Sequence, residues 1–147
     1  MVRRVQRVHV VHDFTAPVEQ VYAHLARHEN LEDVFGAKIR RVRDGHATPD
    51  GVGSVRELKL NPLMPAFQET VTQAEPNELI EYRITRGSPL KDHVGVMRFA
   101  RKGTGTRLDY TIDFESRIPG AGGIIQGMID KNVRRGLAGV DAELQTP

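Results

Sequence analysis

The chain has no cysteine among its 147 residues, which excludes disulfides, thiol nucleophiles and cysteine-ligated zinc outright. No stretch approaches the roughly 18 apolar residues of a membrane span, and the first ten residues carry arginines without an apolar core. The expectation is a cytoplasmic protein with no stable membrane insertion. There is no internal repeat, low-complexity tract or linker, and no phosphate-cradling glycine loop, nucleophile elbow or Ser-His-Asp set. No cofactor is therefore expected, and the enzyme class left open is cofactor-free acid/base chemistry. Nor does one sign of charge dominate. The pI is near 9.1 but the net charge is only +2, and Arg3–Arg4, Arg40–Arg41 and Arg134–Arg135 are scattered pairs close to carboxylates or valines. Solvated faces account for them, and no nucleic-acid partner is expected.

What remains is ordinary globular material, 39% hydrophobic and 27% charged, enough for one domain over residues 1–147 with a real core. Its organising stretch is the last long one, Gly120 to Leu144. Apolar residues recur there at Ile125, Ile129, Val133, Leu137, Val140 and Leu144. Steps of three and four put them on one side of a helix of about 3.6 residues per turn. Asp130, Lys131, Arg134 and Asp141 fall on the other side. Burying the stripe is worth on the order of 10 kcal/mol as an upper figure. Met128, Asn132, Gly136 and Gly139 line one edge of it, and a helical glycine costs roughly 1 kcal/mol relative to alanine. Two explanations fit that slim edge: space kept between helix and sheet, or close backbone packing.

The rest of the chain reads mostly as strands. Val5 to Phe14 is a strand with Val8, Val10, His12 and Phe14 on one face. Thr15 is a suitable N-cap ahead of Pro17 for a helix burying Val18, Val21, Tyr22 and Leu25, and Asn30 one for a short turn, Leu31 to Phe35, ending at Gly36. Strands follow at Lys38–Arg43, Ser54–Leu60, Phe67–Glu75, Leu79–Arg86, His93–Arg101 and Thr106–Glu115, divided by glycine, proline and asparagine turns such as Gly87–Ser88–Pro89. The order is one strand, two helices, six antiparallel strands and the long helix.

Across a hairpin, facing residues have a constant index sum. Turns centred on Leu63–Met64, Pro76–Asn77 and Gly103–Thr104 pair Leu58 with Glu69, Val71 with Tyr82, and Met97 with Tyr110, and the loop around Ser88–Pro89 pairs Tyr82 with Met97. His93 falls opposite Phe114. All four registers agree on one inner face: Arg56, Leu58, Leu60, Phe67, Glu69, Val71, Tyr82, Ile84, His93, Met97, Phe99, Leu108, Tyr110, Ile112 and Phe114. Val94 and Val96 interrupt the polar outer face, which predicts a bulge or an edge contact.

The order and spacing of several motifs resemble those of the helix-grip (SRPBCC, START-like) superfamily, and in particular its polyketide cyclase/dehydratase branch. They are Phe14–Thr15–Ala16–Pro17 with Val21–Tyr22, then Gly53–Ser54–Val55–Arg56, Glu69, Glu75–Pro76 through Tyr82, and Gly105–Thr106–Arg107–Leu108. The resemblance implies an α+β helix-grip fold: a seven-stranded curved antiparallel sheet around a long C-terminal helix, with two short helices after strand 1. It also implies a cavity for an apolar small molecule. Members bind lipids, hormones or quinones, cyclise polyketides, or act as adaptors, so the fold alone does not choose an activity.

Binding of a hydrophobic or amphipathic small molecule is the first expectation. A cyclase/dehydratase-type enzyme and a protein-binding adaptor are the alternatives. The expected ligand contacts are Arg56, Leu58, Phe67, Glu69, Val71, Tyr82, Ile84, His93, Met97, Tyr110, Ile112 and Phe114 from the sheet, with Met128 and Asn132 from the helix. Arg56 and Glu69, diagonal across neighbouring strands, would fix a polar end of the ligand. His93 is the candidate acid or base, with Glu69 or a tyrosine orienting it, at the end where the Asn61–Ala66 and Gly87–Asp92 loops converge. His24 and His28 stand four apart with Glu32 nearby, but without a third defined ligand no metal site is expected. His9 and His12 point to opposite faces of a strand and cannot share an ion.

Overall fold

A computed structural model describes residues 5–88 and 90–145. Arg3, Arg4 and Pro89, singled out above, lie outside the described residues. The elements run β1 (Gln6–Phe14), α1 (Val18–Ala26), a 3₁₀ turn (His28–Leu31), α2 (Glu32–Phe35), β2 (Lys38–Arg43), β3 (Val55–Lys59), β4 (Phe67–Glu75), β5 (Leu79–Arg86), β6 (Leu90–Lys102), β7 (Gly105–Ser116) and α3 (Gly122–Gln145). The strands form one curved antiparallel sheet in the order β1-β7-β6-β5-β4-β3-β2, with α3 against its concave side. This is the helix-grip arrangement. Among the described residues no helix is long and apolar enough to cross a membrane.

Alternation does most of the work of placing side chains. Val8, Val10 and Phe14 of β1 and Leu108, Tyr110, Ile112 and Phe114 of β7 are buried, while the outer face is held by polar pairs such as Arg7–Asp113 at 2.7 Å and Arg107–Asp13 at 3.0 Å. The helix stripe is buried at Val133, Leu137 and Val140, and half-buried at Ile125, Ile129 and Leu144.

Two hairpins are shifted by two residues from their expected registers. Phe67 faces Leu58 and Glu69 faces Arg56; Tyr82 faces Gly95 and Met97 faces Ile80. Each turn's centre moves by one residue, and an even shift of register leaves every side chain on its original face. The β6–β7 pairing follows expectation from Val94 to Arg101 and then slips between Lys91 and Val94. Asp92 and His93 there stand against Phe114 alone, so His93 occupies a β-bulge rather than a ladder position. Asp92 takes the left-handed conformation at φ 52°, which aspartate tolerates better than most residues.

Both expected caps are replaced. Pro17, not Thr15, stands at the N-cap of α1 without a side-chain bond; its carbonyl receives the N–H groups of Gln20 and Val21. Proline's fixed φ suits a helix start. Asn30 does not cap α2, whose N-cap is Leu31; its side-chain amide donates to the His24 carbonyl at 3.0 Å, serving the end of α1 instead. Gly136 decides between the two explanations of the slim helix edge. A Cβ there would lie 2.5 Å from Val34 Cα and 2.8 Å from Asp33 O. This glycine lets α3 press against α2, whereas a Cβ at Gly139 on the same edge would meet nothing within 4 Å.

Candidate functional site

The site begins with a charge pair carried by two adjacent strands. The shifted β3–β4 register sets Arg56 directly opposite Glu69, and Arg56 Nε donates to Glu69 Oε1 at 2.8 Å. Both are buried, at 2% and 5% exposure. The Arg56 guanidinium lies 5.3 Å from the Phe35 ring centroid and 4.8 Å from that of Tyr82. Aromatic faces there supply part of the stabilisation that water would otherwise give a cation. Arg56 Nη2 has no hydrogen-bond partner.

Tyr82 reaches this pair because it faces a glycine. Its hydroxyl bonds that of Tyr110. Burial raises the pKa of both phenols, so they are neutral hydrogen-bonding groups near pH 7 and not phenolates. The His93 ring is 5.6 Å from that of Tyr82, and its Nδ1 accepts the Ile84 N–H at 3.2 Å. A backbone N–H can only donate, so the ring's proton is on Nε2. Burial lowers the His93 pKa, against a smaller upward pull from Glu69. Near pH 7 His93 is thus a neutral donor through Nε2.

These groups border a cavity of about 460 Å³ between sheet and helix. Its sheet wall is Leu58, Phe67, Glu69, Tyr82, Ile84, His93 and Ile112; α3 adds Ile125, Met128, Ile129, Asn132 and Val133. The remaining wall is Val34 and Phe35 of α2, Leu60, Met64 and Pro65 after β3, and Gly87, Ser88 and Leu90 before or at the start of β6. Glu69 and His93 are its titratable side chains below the phenol range.

Nine of the residues expected from the sequence are in that wall. Arg56, Val71, Met97, Tyr110 and Phe114 are not. Arg56 stands behind Glu69, and the other four are buried without reaching the wall. Sequence reasoning missed Val34 and Phe35, because nothing in a four-residue helix announces which way it faces. It also left Ile125, Ile129 and Val133 out of the expected contacts, since periodicity identifies the buried side of a helix but not what lies beneath it. His28 lies away from the cavity wall. It is fully buried, with Nε2 3.0 Å from Ser54 Oγ, and burial and the Arg56 charge push its pKa down to about 4. Among the described residues no group of three metal-ligating side chains converges.

The family model described as "Polyketide cyclase / dehydrase and lipid transport" matches residues 5–145. The chain belongs to that family. Among solved structures, this family member resembles the Zhui aromatase/cyclase from Streptomyces sp. R1128, with a TM-score of 0.76 at 20% identity over 97% of this chain and 94% of the other. A norcoclaurine synthase point mutant from Thalictrum flavum, solved with a transition-state analogue, gives 0.73 at 13% identity over 98% and 96%. The Aha1 dimer from Colwellia psychrerythraea gives 0.69 at 15% over 99% and 97%. At such identities the likeness establishes the fold that this family member shares with them, and their activities remain their own. No curated protein sequence matches it.

Proposed function

We propose that this chain binds a hydrophobic small molecule bearing one hydroxyl or phenol, held in the cavity between sheet and α3. The observation that carries the reading is the cavity itself: about 460 Å³ with mostly apolar walls and a polar corner at Glu69 and His93. That size suits a small organic ligand. A hydroxyl both accepts and donates, so it satisfies His93 Nε2–H and the Glu69 carboxylate together. A carboxylate would satisfy only the first and meet the Glu69 charge. Arg56 stands off the cavity wall, so its role is to hold Glu69 in position through the 2.8 Å bond.

Cyclase- or dehydratase-type catalysis is the second reading, and the Ile84 N–H bond weighs against His93 as its base. With Nδ1 occupied and Nε2 protonated, the neutral ring has no lone pair to offer a substrate, and burial disfavours the imidazolium needed by an acid. Catalysis would then rest on Glu69. The hollow core weighs against an adaptor role.

The test is a titration with 2-naphthol, naphthalene and 2-naphthoate. Naphthol should bind about tenfold tighter than naphthalene, roughly the worth of one good hydrogen bond, with naphthoate weakest. His93→Phe should remove the naphthol preference while keeping naphthalene binding. If none of the three binds, or naphthoate binds best, the reading fails.

A further inference from the structure

The mouth of the cavity is edged by apolar side chains that are open to solvent. Leu60, Met64 and Met128 belong to the cavity wall and are also exposed, which puts them at its opening. Beside them, Leu63 is 96% exposed at the tip of the β3–β4 loop and Ile124 is 77% exposed one helical turn before Met128. Scattered apolar residues on a surface need no explanation, but a cluster around one opening does.

The segments that carry this lip are also basic. Lys59 precedes the β3–β4 loop, Arg86 and Lys91 flank the β5–β6 loop, Arg117 leads into α3, and Lys131 follows Met128; all five are exposed. The same segments carry the carboxylates Asp92, Glu115 and Asp130. Glu115 is buried and lies 3.9 Å from Lys91. Asp130 accepts from Arg134 at 2.7 Å. On these segments the exposed cations outnumber the exposed carboxylates.

We propose that this lip docks reversibly on an anionic lipid bilayer, so that the cavity opens onto the phase in which an apolar ligand is concentrated. Leu63 and Ile124 enter the headgroup boundary while the surrounding lysines and arginines meet anionic headgroups. Both contributions are needed, since a few apolar side chains alone give marginal attachment and a few charges alone are screened by salt. The contact is peripheral and spans nothing. It requires the lip and not an occupied cavity, so it stands apart from the ligand-binding reading.

The experiment is co-sedimentation of the full chain with vesicles of phosphatidylcholine alone, and with about one-quarter phosphatidylglycerol. Binding should appear only on the anionic vesicles and weaken about tenfold on raising salt from about 0.05 to 0.5 M. The Leu63→Asp/Ile124→Asp pair should lower it about tenfold with an unchanged Tm, because neither side chain is packed. Val11→Asp, at an exposed valine of β1, should bind as wild type does. Equal binding to neutral vesicles, equal binding by the double variant, or no binding overturns the proposal. So does a dimer in sedimentation velocity that the double variant dissolves, since a second copy would then be the lip's partner. Naphthol uptake separates the two readings: uptake without vesicle binding refutes docking alone, and vesicle binding without uptake refutes the cavity alone.

Discussion

In the C-terminal half of α3, Leu137 and Val140 are buried against the sheet, whereas Ile125 and Ile129 in the N-terminal half stay half-buried over a cavity and Met128 is open to solvent. Val133 stands at the boundary, buried and yet part of the cavity wall. One uninterrupted stripe thus faces a filled core at one end and a hollow at the other. The helix is the same; the difference lies in what the sheet presents to it. Stability is concentrated at the filled end, and the freedom to accept a ligand at the hollow one.

The sharpest way to break this contrast is to truncate one leucine and one isoleucine of the same stripe. Leu137→Ala should lower unfolding free energy by about 4 kcal/mol, because close packing leaves the new void unfilled. Ile129→Ala should cost only about 1 kcal/mol and change naphthol affinity instead. Urea titrations compare the two, and equal losses would mean that the cavity is collapsed in solution.

A second effect comes from the packed histidine. The folded-state pKa of His28 is about 4 against an ordinary 6.5, so the folded state resists a proton that the unfolded chain accepts. Its contribution to stability is intact above about pH 6.5 and is lost as pH falls toward 4, by about 3 kcal/mol in total. His28→Gln lacks this response, so the stability difference between wild type and His28→Gln should shrink between about pH 7.5 and pH 4.5. A difference that stays constant would show that water reaches His28. His93 shifts in the same direction, but its cavity gives it access to solvent or ligand.

Smaller again is the expected effect at Gly136. Gly136→Ala should destabilise by about 2 kcal/mol through its clash with the α2 backbone, although alanine is the better helix former. Naphthol uptake should hardly change. Lost uptake with unchanged stability would instead return this glycine to the cavity.

These contrasts explain how much could be read in advance. Faces were legible because side-chain direction has a period of two: the β3–β4 and β5–β6 registers slip by two residues, and Arg56, Glu69, Tyr82 and Met97 stay on the inner face. The stripe of α3 was legible for the same kind of reason. Depth was not. Whether Met97 or Ile84 borders space depends on how rings pack across three strands, and no local pattern encodes that. The bulge at Asp92–His93 was anticipated only as an irregularity near Val94 and Val96, because one extra residue leaves no signature in hydrophobic alternation.

Gly95 has a consequence beyond its own strand. It faces Tyr82 across the ladder, and a methyl group there would occupy the place of the phenol ring's outer carbons and oxygen. The ring therefore fits only because its neighbour has no side chain. An alanine at position 95 with a smaller residue at position 82 would swap which strand supplies the bulk, and would also take from the Arg56 guanidinium the ring face that lies 4.8 Å away. The bulk that Tyr82 presents to the cavity is thus licensed by a residue outside the cavity wall.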